Sequence, residues 1–251
     1  MNRIKAAMLM ACMWCASKAQ AVEIQVLSAG AYKAVVSALA PEFERETGHT
    51  VRIDNGTAGA LQKRMAEGAA FDLAIITPPV VSALVKEGLL IESTRQDLAK
   101  VDIGVGIKAG AAKPDLGSVD AFKQLLLKAR AVAYIDPAAG GTSGIYLSQL
   151  FDRMGIGEQI RRKAVLVPGG YSAQRILTGE AEIAVQQMSE IVAVKGVELA
   201  GPLPDQVQNW TTYTAAVSAR AAQPEAAKQL LKFLGGDKAM ATLVSKGMVA
   251  P

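Results

Sequence analysis

Short apolar runs alternate with longer stretches in which apolar residues recur at helical spacing. Residues 24–27 predict a strand, and residues 31–47 predict a helix that ends at Gly48. The alternation of apolar and polar residues at 50–54 predicts a second strand, and Thr57 is the predicted N-cap of a helix that runs through Met65. The apolar run 71–76 predicts a third, buried strand. This strand–helix order is typical of a parallel sheet covered by helices.

The same order returns after an apolar strand predicted at 103–108. The further predicted elements are helices from Ser118, at 145–154 and at 172–177, and strands at 132–135, 165–167, 183–187 and 197–199. A β-rich run at 211–218 predicts a second crossing, and helices at 224–234 and 237–244 end the chain. The sequence therefore predicts an α/β protein with two similar lobes, each a central β-sheet flanked by helices, joined by two crossover strands.

Two crossings also set the predicted limits of the lobes. The first lobe comprises 22–100 and 216–251, and the second comprises 101–215 with the crossover strands. Such a connection allows the lobes to close on a ligand by a hinge motion.

Four turns of small residues follow predicted strands and precede predicted helices. They are 28–31, 56–59, 140–144 and 169–172. Small residues let a ligand approach the backbone closely, and the free N–H groups at a helix start favour an anion. In open α/β sheets, ligands bind beyond the carboxyl ends of strands, where all four turns lie. The sequence therefore predicts an anion or carboxylate site in a cleft between the lobes.

These turns supply most of the predicted ligand-binding residues. They are Ser28, Ala29, Gly30, Thr57, Ala58, Thr142, Ser143, Gly144 and Ser172. Their hydroxyl groups can cap the helices or donate hydrogen bonds to the ligand.

Longer side chains beside the turns are further candidates. Lys33 can reach a carboxylate or remain solvated, and Arg175 can form a bidentate carboxylate pair or a surface ion pair. Gln186 and Gln187 end a predicted strand at the cleft floor, where one can donate to the ligand while the other faces away. Tyr171 can close over the ligand or pack in the core.

The sequence does not favour a catalytic triad, a metal site or a nucleotide-binding site. His49 is the sole histidine and lies away from every turn, so a Ser-His-Asp triad is not predicted. Clustered metal ligands, a P-loop and a dinucleotide fingerprint are absent, so neither metal nor cofactor is expected. No residue can be assigned as a general base, and catalytic residues remain unknown.

The N-terminal segment 1–21 has the features of a secretory signal peptide. Arg3 and Lys5 precede the apolar run 6–14, and 19–21 supplies a small-residue cleavage pattern. The apolar run is too short to span a membrane, and no later stretch approaches that length. The mature protein is therefore expected in the periplasm, without a membrane span.

Removing this leader changes the charge and the cysteine content. The leader carries three basic residues and no acidic one, so the formal charge falls from +4 to +1. Nucleic acid and acidic membranes are therefore not favoured as partners. Cys12 and Cys15, the only cysteines, also lie in the leader; the alternative is a lipoprotein anchored at Cys12.

Several segments resemble a known family. They are 28–31, 55–61, 179–184 and 224–228. In these segments the chain resembles the type II periplasmic substrate-binding proteins of ABC transporters, in the molybdate-binding-protein-like branch, over essentially all of the mature chain. The resemblance implies mixed β-sheets, a monomer, an ABC permease as partner, and a site for a small oxyanion or carboxylate. It assigns that site to Ser28, Thr57, Ser143 and Ser172 with neighbouring N–H groups.

A second set of segments looks like a sub-branch that includes a periplasmic aconitate isomerase. They are 97–99, 103–105, 112–115, 186–190 and 201–205. This likeness implies an alternative function, the cofactor-independent 1,3-proton transfer that interconverts cis- and trans-aconitate. That reaction needs a general base near the substrate and cationic groups for three carboxylates. Capture of an anion for import remains the first hypothesis, because the same fold supports both roles.

Overall fold

A computed structural model describes residues 20–251, which contain two five-stranded β-sheets. The predicted leader, with Cys12 and Cys15, lies outside the described residues except for its last two positions. None of the helices within 20–251 combines the length and apolar character needed to cross a membrane.

The first sheet joins the N-terminal strands to one strand from near the C-terminus. Its strands are β1 (Glu23–Ala29), β2 (Thr50–Gly56), β3 (Leu73–Ile76), β4 (Gln96–Val101) and β10 (Thr211–Val217). Their order is β2-β1-β3-β10-β4. β1 pairs in parallel with β2 and β3, whereas β10 runs antiparallel to β3 and β4. The carboxyl ends of β1 and β2 therefore lie at one edge.

The second sheet is built from the middle of the chain. Its strands are β5 (Ile103–Lys108), β6 (Val132–Ile135), β7 (Ala164–Val167), β8 (Ile183–Gln187) and β9 (Val197–Pro202), in the order β7-β6-β8-β5-β9. β6 is parallel to β7 and β8, and β5 is antiparallel to β8 and β9. The predicted fold class, two mixed sheets flanked by helices, is confirmed.

Helices cover both sheets. Beside the first sheet these are α1 (Gly30–Thr47), α2 (Ala58–Ala66), α3 (Pro78–Lys86), α9 (Pro224–Leu234) and α10 (Asp237–Ser245). In the second half they are α4 (Val119–Lys128), α5 (Thr142–Arg153), α6 (Gly157–Arg161), α7 (Gln174–Leu177) and α8 (Met188–Val192). Short 3-10 helices occur at Glu92–Thr94, Pro137–Ala139 and Asp205–Val207. The first sheet and its helices share one hydrophobic core, whereas the second sheet has two, the smaller of which includes Ile176 of α7 and Ile191 of α8.

The chain passes between the sheets twice. Only Asp102 separates β4 from β5, and the return runs from the end of β9 to β10. The limits given above for the two lobes stay a prediction; β10 as a whole belongs to the first sheet.

Three differences from the sequence-based elements bear on the site. β4 was not predicted, because an edge strand with Gln96, Asp97 and Lys100 lacks a continuous apolar pattern. α8 was not predicted either, since it has only five residues. α5 begins at Thr142 rather than at 145, which places Thr142 and Ser143 in its first turn.

Candidate functional site

A small cavity lies where the ends of the two sheets face each other. Its volume is about 30 Å3. The first sheet and its helices contribute Ala29, Gly30, Ala31, Gly56, Thr57, Ala58 and Tyr213. The second sheet and its helices contribute Ile135, Gly141, Thr142, Ser143, Gly170, Gln187 and Glu190. Residues from all four small-residue turns therefore meet at one place.

Three helices begin at this cavity. α1 starts at Gly30, α2 starts after Thr57, and α5 starts at Thr142. None of the three has an acidic residue in its first turn. The partial positive charges of three helix starts therefore point at one cavity, an arrangement that favours a bound anion.

The helix starts differ in how they are capped. The Thr57 Oγ1 accepts a hydrogen bond from the Ala60 N–H at 3.1 Å. Within residues 20–251, no side chain caps α1 or α5, where Ala29 and Gly141 occupy the cap positions. The first-turn N–H groups of α1 and α5 thus have no side-chain cap, and a ligand can take that place.

Contacts between the lobes hold the cleft closed beside the cavity. The Gly59 N–H donates to the Gly140 carbonyl at 3.1 Å, and the Thr57 hydroxyl donates to the Ala139 carbonyl. A Cβ atom added to Gly59 would lie 3.0 Å from the Gly140 Cα. Both glycines therefore permit an approach of the two backbones that a side chain would prevent.

Glu190 is the one carboxyl group among the described residues that line the cavity. It lies on α8 and is 5% exposed. Burial raises its pKa to about 8, and the hydrogen bond from Gln186 lowers the pKa in part. At neutral pH the side chain is therefore mostly an uncharged acid, so the cavity does not repel an anion.

Gln186 joins the parts of the cavity wall from the second sheet. Its Oε1 accepts from the Ser172 N–H at 2.8 Å and from the Ser172 hydroxyl at 2.7 Å. Its Nε2 donates to the Gly170 carbonyl and to the Glu190 Oε2, both at 2.8 Å. This network fixes the orientation of the Glu190 carboxyl group.

Seven of the fourteen predicted ligand-binding residues line the cavity. They are Ala29, Gly30, Thr57, Ala58, Thr142, Ser143 and Gln187. Their predicted contact with a ligand stays a prediction.

Four of the other seven predicted residues are buried, and they lie just behind this lining. Ser28 is fully buried, and its hydroxyl donates to the Ala29 carbonyl at 3.1 Å. Ser172 and Gln186 are bonded to each other, as described above. Gly144 packs against the backbone of Ile135, where a Cβ atom would collide with the carbonyl oxygen. These residues are placed to shape the wall of the cavity.

The remaining three lie outside the lining. Lys33 and Tyr171 are half-buried, and neither is among the lining residues. The Arg175 Nη1 donates to the Glu180 Oε1 at 3.0 Å, which is the surface ion pair considered as its alternative. Their assignment as ligand-binding residues is likewise still a prediction.

Sequence reasoning did not assign a role to Glu190 or to Tyr213. Glu190 follows Gln186 by four residues, just beyond a strand predicted to end at the cleft floor. A carboxylate at such a position was the available signal, but the short helix that turns it inward was not predicted. His49 is 4% exposed, and its Nδ1 accepts from the Val22 N–H at 3.4 Å at the amino ends of β1 and β2, whereas the cavity lies at the carboxyl ends of these strands. No group of three or more His, Cys, Asp or Glu within 20–251 is arranged to hold a metal ion.

Comparison with known proteins decides the family. The model of a family described as "Bacterial extracellular solute-binding protein" matches residues 24–249. The chain belongs to this family. The match includes both sheets and every residue that lines the cavity.

Two relatives of this solute-binding protein have names that state different functions, one an isomerase and the other a binding protein. Aconitate isomerase from Pseudomonas sp. is 34% identical over 233 residues, covering 90% of this chain and 87% of the relative. Molybdate-binding protein ModA from Azotobacter vinelandii is 28% identical over 248 residues, covering 92% of each.

Solved structures share the fold of the solute-binding protein. The periplasmic molybdate-binding protein of Azotobacter vinelandii has a TM-score of 0.77 at 20% identity, covering 91% of this chain and 99% of its own. The sulfate-binding protein SubI from Mycobacterium tuberculosis has a TM-score of 0.71 at 17% identity, covering 90% of this chain and 86% of its own. These likenesses show the architecture.

Proposed function

We propose that this protein captures a small oxyanion or carboxylate in the cleft between its two lobes and delivers it to an ABC permease from the periplasm. The observation that carries this proposal is the convergence of three helix starts on one cavity, two of them without a side-chain cap. A ligand with negatively charged oxygens supplies the acceptors that these N–H groups lack. The solute-binding family supports the transport role.

The charge of the cavity wall also supports an anion. Lys33 and Arg175 do not line the cavity, so binding relies on neutral donors: peptide N–H groups and the hydroxyls of Thr57, Thr142 and Ser143. Water exclusion strengthens such hydrogen bonds. One water needs about 10–15 Å3 of cavity volume, so about 30 Å3 suits a group of few atoms when the lobes are closed.

A thermal-shift screen with molybdate, tungstate, sulfate, citrate and both aconitates tests this proposal. An anion at a hundred times its Kd should stabilise the protein by about 2.7 kcal/mol. The Thr57→Val variant should show a smaller shift, and the Ser118→Ala variant, altered at the start of α4, should keep the full shift. A screen in which no anion raises Tm would refute the proposal.

The second candidate function is aconitate isomerisation. Its support is the 34% identity with an aconitate isomerase and the presence of one carboxyl group, Glu190, in the cavity wall. A carboxyl group with a pKa of about 8 can both accept and return a proton near neutral pH. Among the described residues, the lining provides no cationic side chain for three carboxylates, and for this reason binding is the first proposal.

Proton NMR separates the two candidates. The protein is incubated with cis-aconitate or trans-aconitate, and the vinyl proton signal is followed over time. Conversion that needs the protein and is lost in Glu190→Gln would establish the isomerase. Binding of either isomer without conversion would leave the protein as a carrier.

A further inference from the structure

The proposed binding function assigns no role to Glu190, the buried carboxyl group in the cavity wall. Glu190 Oε2 accepts from Gln186 Nε2 at 2.8 Å. Glu190 Oε1 lies 2.5 Å from the position that a Cβ atom on Gly30 would occupy. The carboxyl group therefore lies over the first residue of α1, with Oε1 toward Gly30, which also lines the cavity.

The hydrogen-bond network distinguishes the two carboxyl oxygens. The Ser172 N–H and hydroxyl groups donate to Gln186 Oε1, which fixes the opposite end of that amide as the NH2 group. Gln186 uses this NH2 group to donate to Glu190 Oε2 and to the Gly170 carbonyl. Since Oε2 already accepts a hydrogen bond, the oxygen left to carry a proton is Oε1.

The groups whose pKa responds to a charge on Glu190 are phenols. Asp102, whose carbonyl accepts from the Met188 N–H of α8 at 3.0 Å, is a further buried acid, and burial raises the pKa of its carboxyl group. Burial raises the pKa of Tyr171 and of Tyr213, and a charge on Glu190 raises both further. Burial also raises the pKa of Tyr32 on α1, whose ring centroid lies 6.3 Å from that of Tyr213. All three phenols therefore keep their protons and supply no compensating positive charge.

In the part of the chain that the structure describes, the elements packed against α8 supply no compensating cation either. These elements are α1, β5, β8 and β9. Lys33 on α1 is half-buried, Lys108 at the end of β5 and Lys195 after α8 are exposed, and Glu198 on β9 pairs with Lys113 at 3.0 Å. Burial and the Gln186 hydrogen bond are the two influences on the Glu190 pKa. A carboxylate here would face a bound anion without a counter-charge, at a high electrostatic cost.

We propose that Glu190 keeps its proton in the closed cleft and donates it from Oε1 to the bound anion, so that above neutral pH ligand binding takes up one proton from solvent. This inference rests on the proposed anion site and specifies how that site discriminates. No covalent bond changes; the proton comes from water and returns to it when the ligand leaves. A fully ionised oxyanion, which can only accept hydrogen bonds, is the ligand class that fits.

A pH dependence follows with a definite sign. Below pH 8, Glu190 is already protonated in the folded protein, and anion affinity does not depend on its titration. Above pH 8, each binding event must first protonate Glu190, so affinity falls about tenfold per pH unit. Ligand-free stability also falls as pH rises from about 4.5 toward 8, because the unfolded chain releases a proton that the folded protein retains.

Isothermal titration with molybdate and sulfate between pH 7 and 10 tests the proposal. The wild-type Kd should rise about tenfold per pH unit above 8, with uptake of about one proton in buffers of different ionisation enthalpy. Glu190→Gln, whose amide donates a hydrogen bond at every pH, should bind with an affinity that does not change between pH 7 and 10. Glu198→Gln, in an exposed ion pair, is the matched control and should keep the wild-type profile. Equal pH profiles for wild type and Glu190→Gln would overturn the inference.

A ligand-free measurement separates this inference from the binding proposal. Wild-type Tm should fall relative to that of Glu190→Gln between pH 6 and pH 8.5. If that difference is present while no anion binds, Glu190 holds its proton but the binding function is refuted. If Glu190→Gln does not fold, carboxyl 13C NMR of glutamate-labelled wild-type protein should show one titration near pH 8. A protein in which every glutamate titrates below pH 6 would contradict the proton on Glu190.

Discussion

At the scale of single residues, Gln186 connects several parts of the cavity wall by hydrogen bonds. Its side chain makes four hydrogen bonds, to both polar atoms of Ser172, to Gly170 and to Glu190. The sequence predicted that one of Gln186 and Gln187 would reach the ligand while the other faced away. Gln187 lines the cavity and Gln186 lies behind it, which agrees with the alternation of side chains along β8.

Replacing Gln186 should therefore damage both stability and binding. Gln186→Leu leaves the Ser172 groups, the Gly170 carbonyl and the Glu190 carboxyl group without their partner in a buried place. Each unsatisfied buried group costs about 1–3 kcal/mol, so a loss of about 2–4 kcal/mol is expected after local rearrangement. Urea denaturation measures the change. Gln174→Leu, at an exposed position of α7, is the control, expected within about 0.5 kcal/mol of wild type. Equal stability of the two variants would contradict the role of Gln186.

The sequence predicted which small residues lie at the site, but not where its long side chains point. Small residues and hydroxyls at strand ends could be identified, because the turn geometry restricts which residue types fit there. The direction of long side chains could not, since it depends on the register and on neighbours that are distant in sequence. Arg175 illustrates this limit, because its nearest partner is Glu180 at the surface.

At the scale of elements, the helix starts are the features of the site that the sequence predicted. Ser118 and Thr57 were both predicted to open helices, and each accepts a hydrogen bond from an N–H group three residues later, at 3.1 Å. Most predicted strands and helices are confirmed because apolar periodicity records which face is buried. β4 and α8 were not predicted, because an edge strand with polar residues and a single helical turn carry too little periodic signal.

The two capped helices allow a matched pair of variants. Thr57→Val removes the α2 cap and the hydrogen bond to the Ala139 carbonyl across the cleft, and Ser118→Ala removes the α4 cap away from the cavity. Each should lose about 1 kcal/mol of stability. Only Thr57→Val should also weaken anion binding, by about tenfold, as measured by titration calorimetry. Similar affinities for both variants would mean that the start of α2 does not contact the ligand.

At the scale of the whole molecule, the decisive feature is how closely the lobes meet. Gly59 on α2 and Gly140 after the second 3-10 helix are in direct backbone contact. The sequence predicted two lobes and a closing cleft, because two strand–helix series and two crossings were visible along the chain. The sequence did not predict how closely the two lobes approach each other. That distance depends on Gly59 and Gly140, which have no side chains to keep the two backbones apart.

A methyl group at this contact should keep the lobes apart. In Gly59→Ala, alanine favours the helix by about 1 kcal/mol, yet its Cβ meets the Gly140 Cα and carbonyl oxygen at 3.0 and 3.3 Å. Stability should hold or rise, whereas anion affinity falls and the radius of gyration from X-ray scattering increases. Ala60→Gly, exposed on the same helix, should lose stability but retain closure and affinity. Unchanged affinity in Gly59→Ala would show that this contact does not limit closure.

The most direct test of the anion site is a crystal structure with the anion that gives the largest thermal shift. The structure predicts electron density for that anion between the starts of α1, α2 and α5, within hydrogen-bond distance of N–H groups near Gly30 and Thr142 and of the Glu190 Oε1. Density for the anion at another surface, or a closed cleft that holds only water at saturating anion, would contradict the proposed binding function.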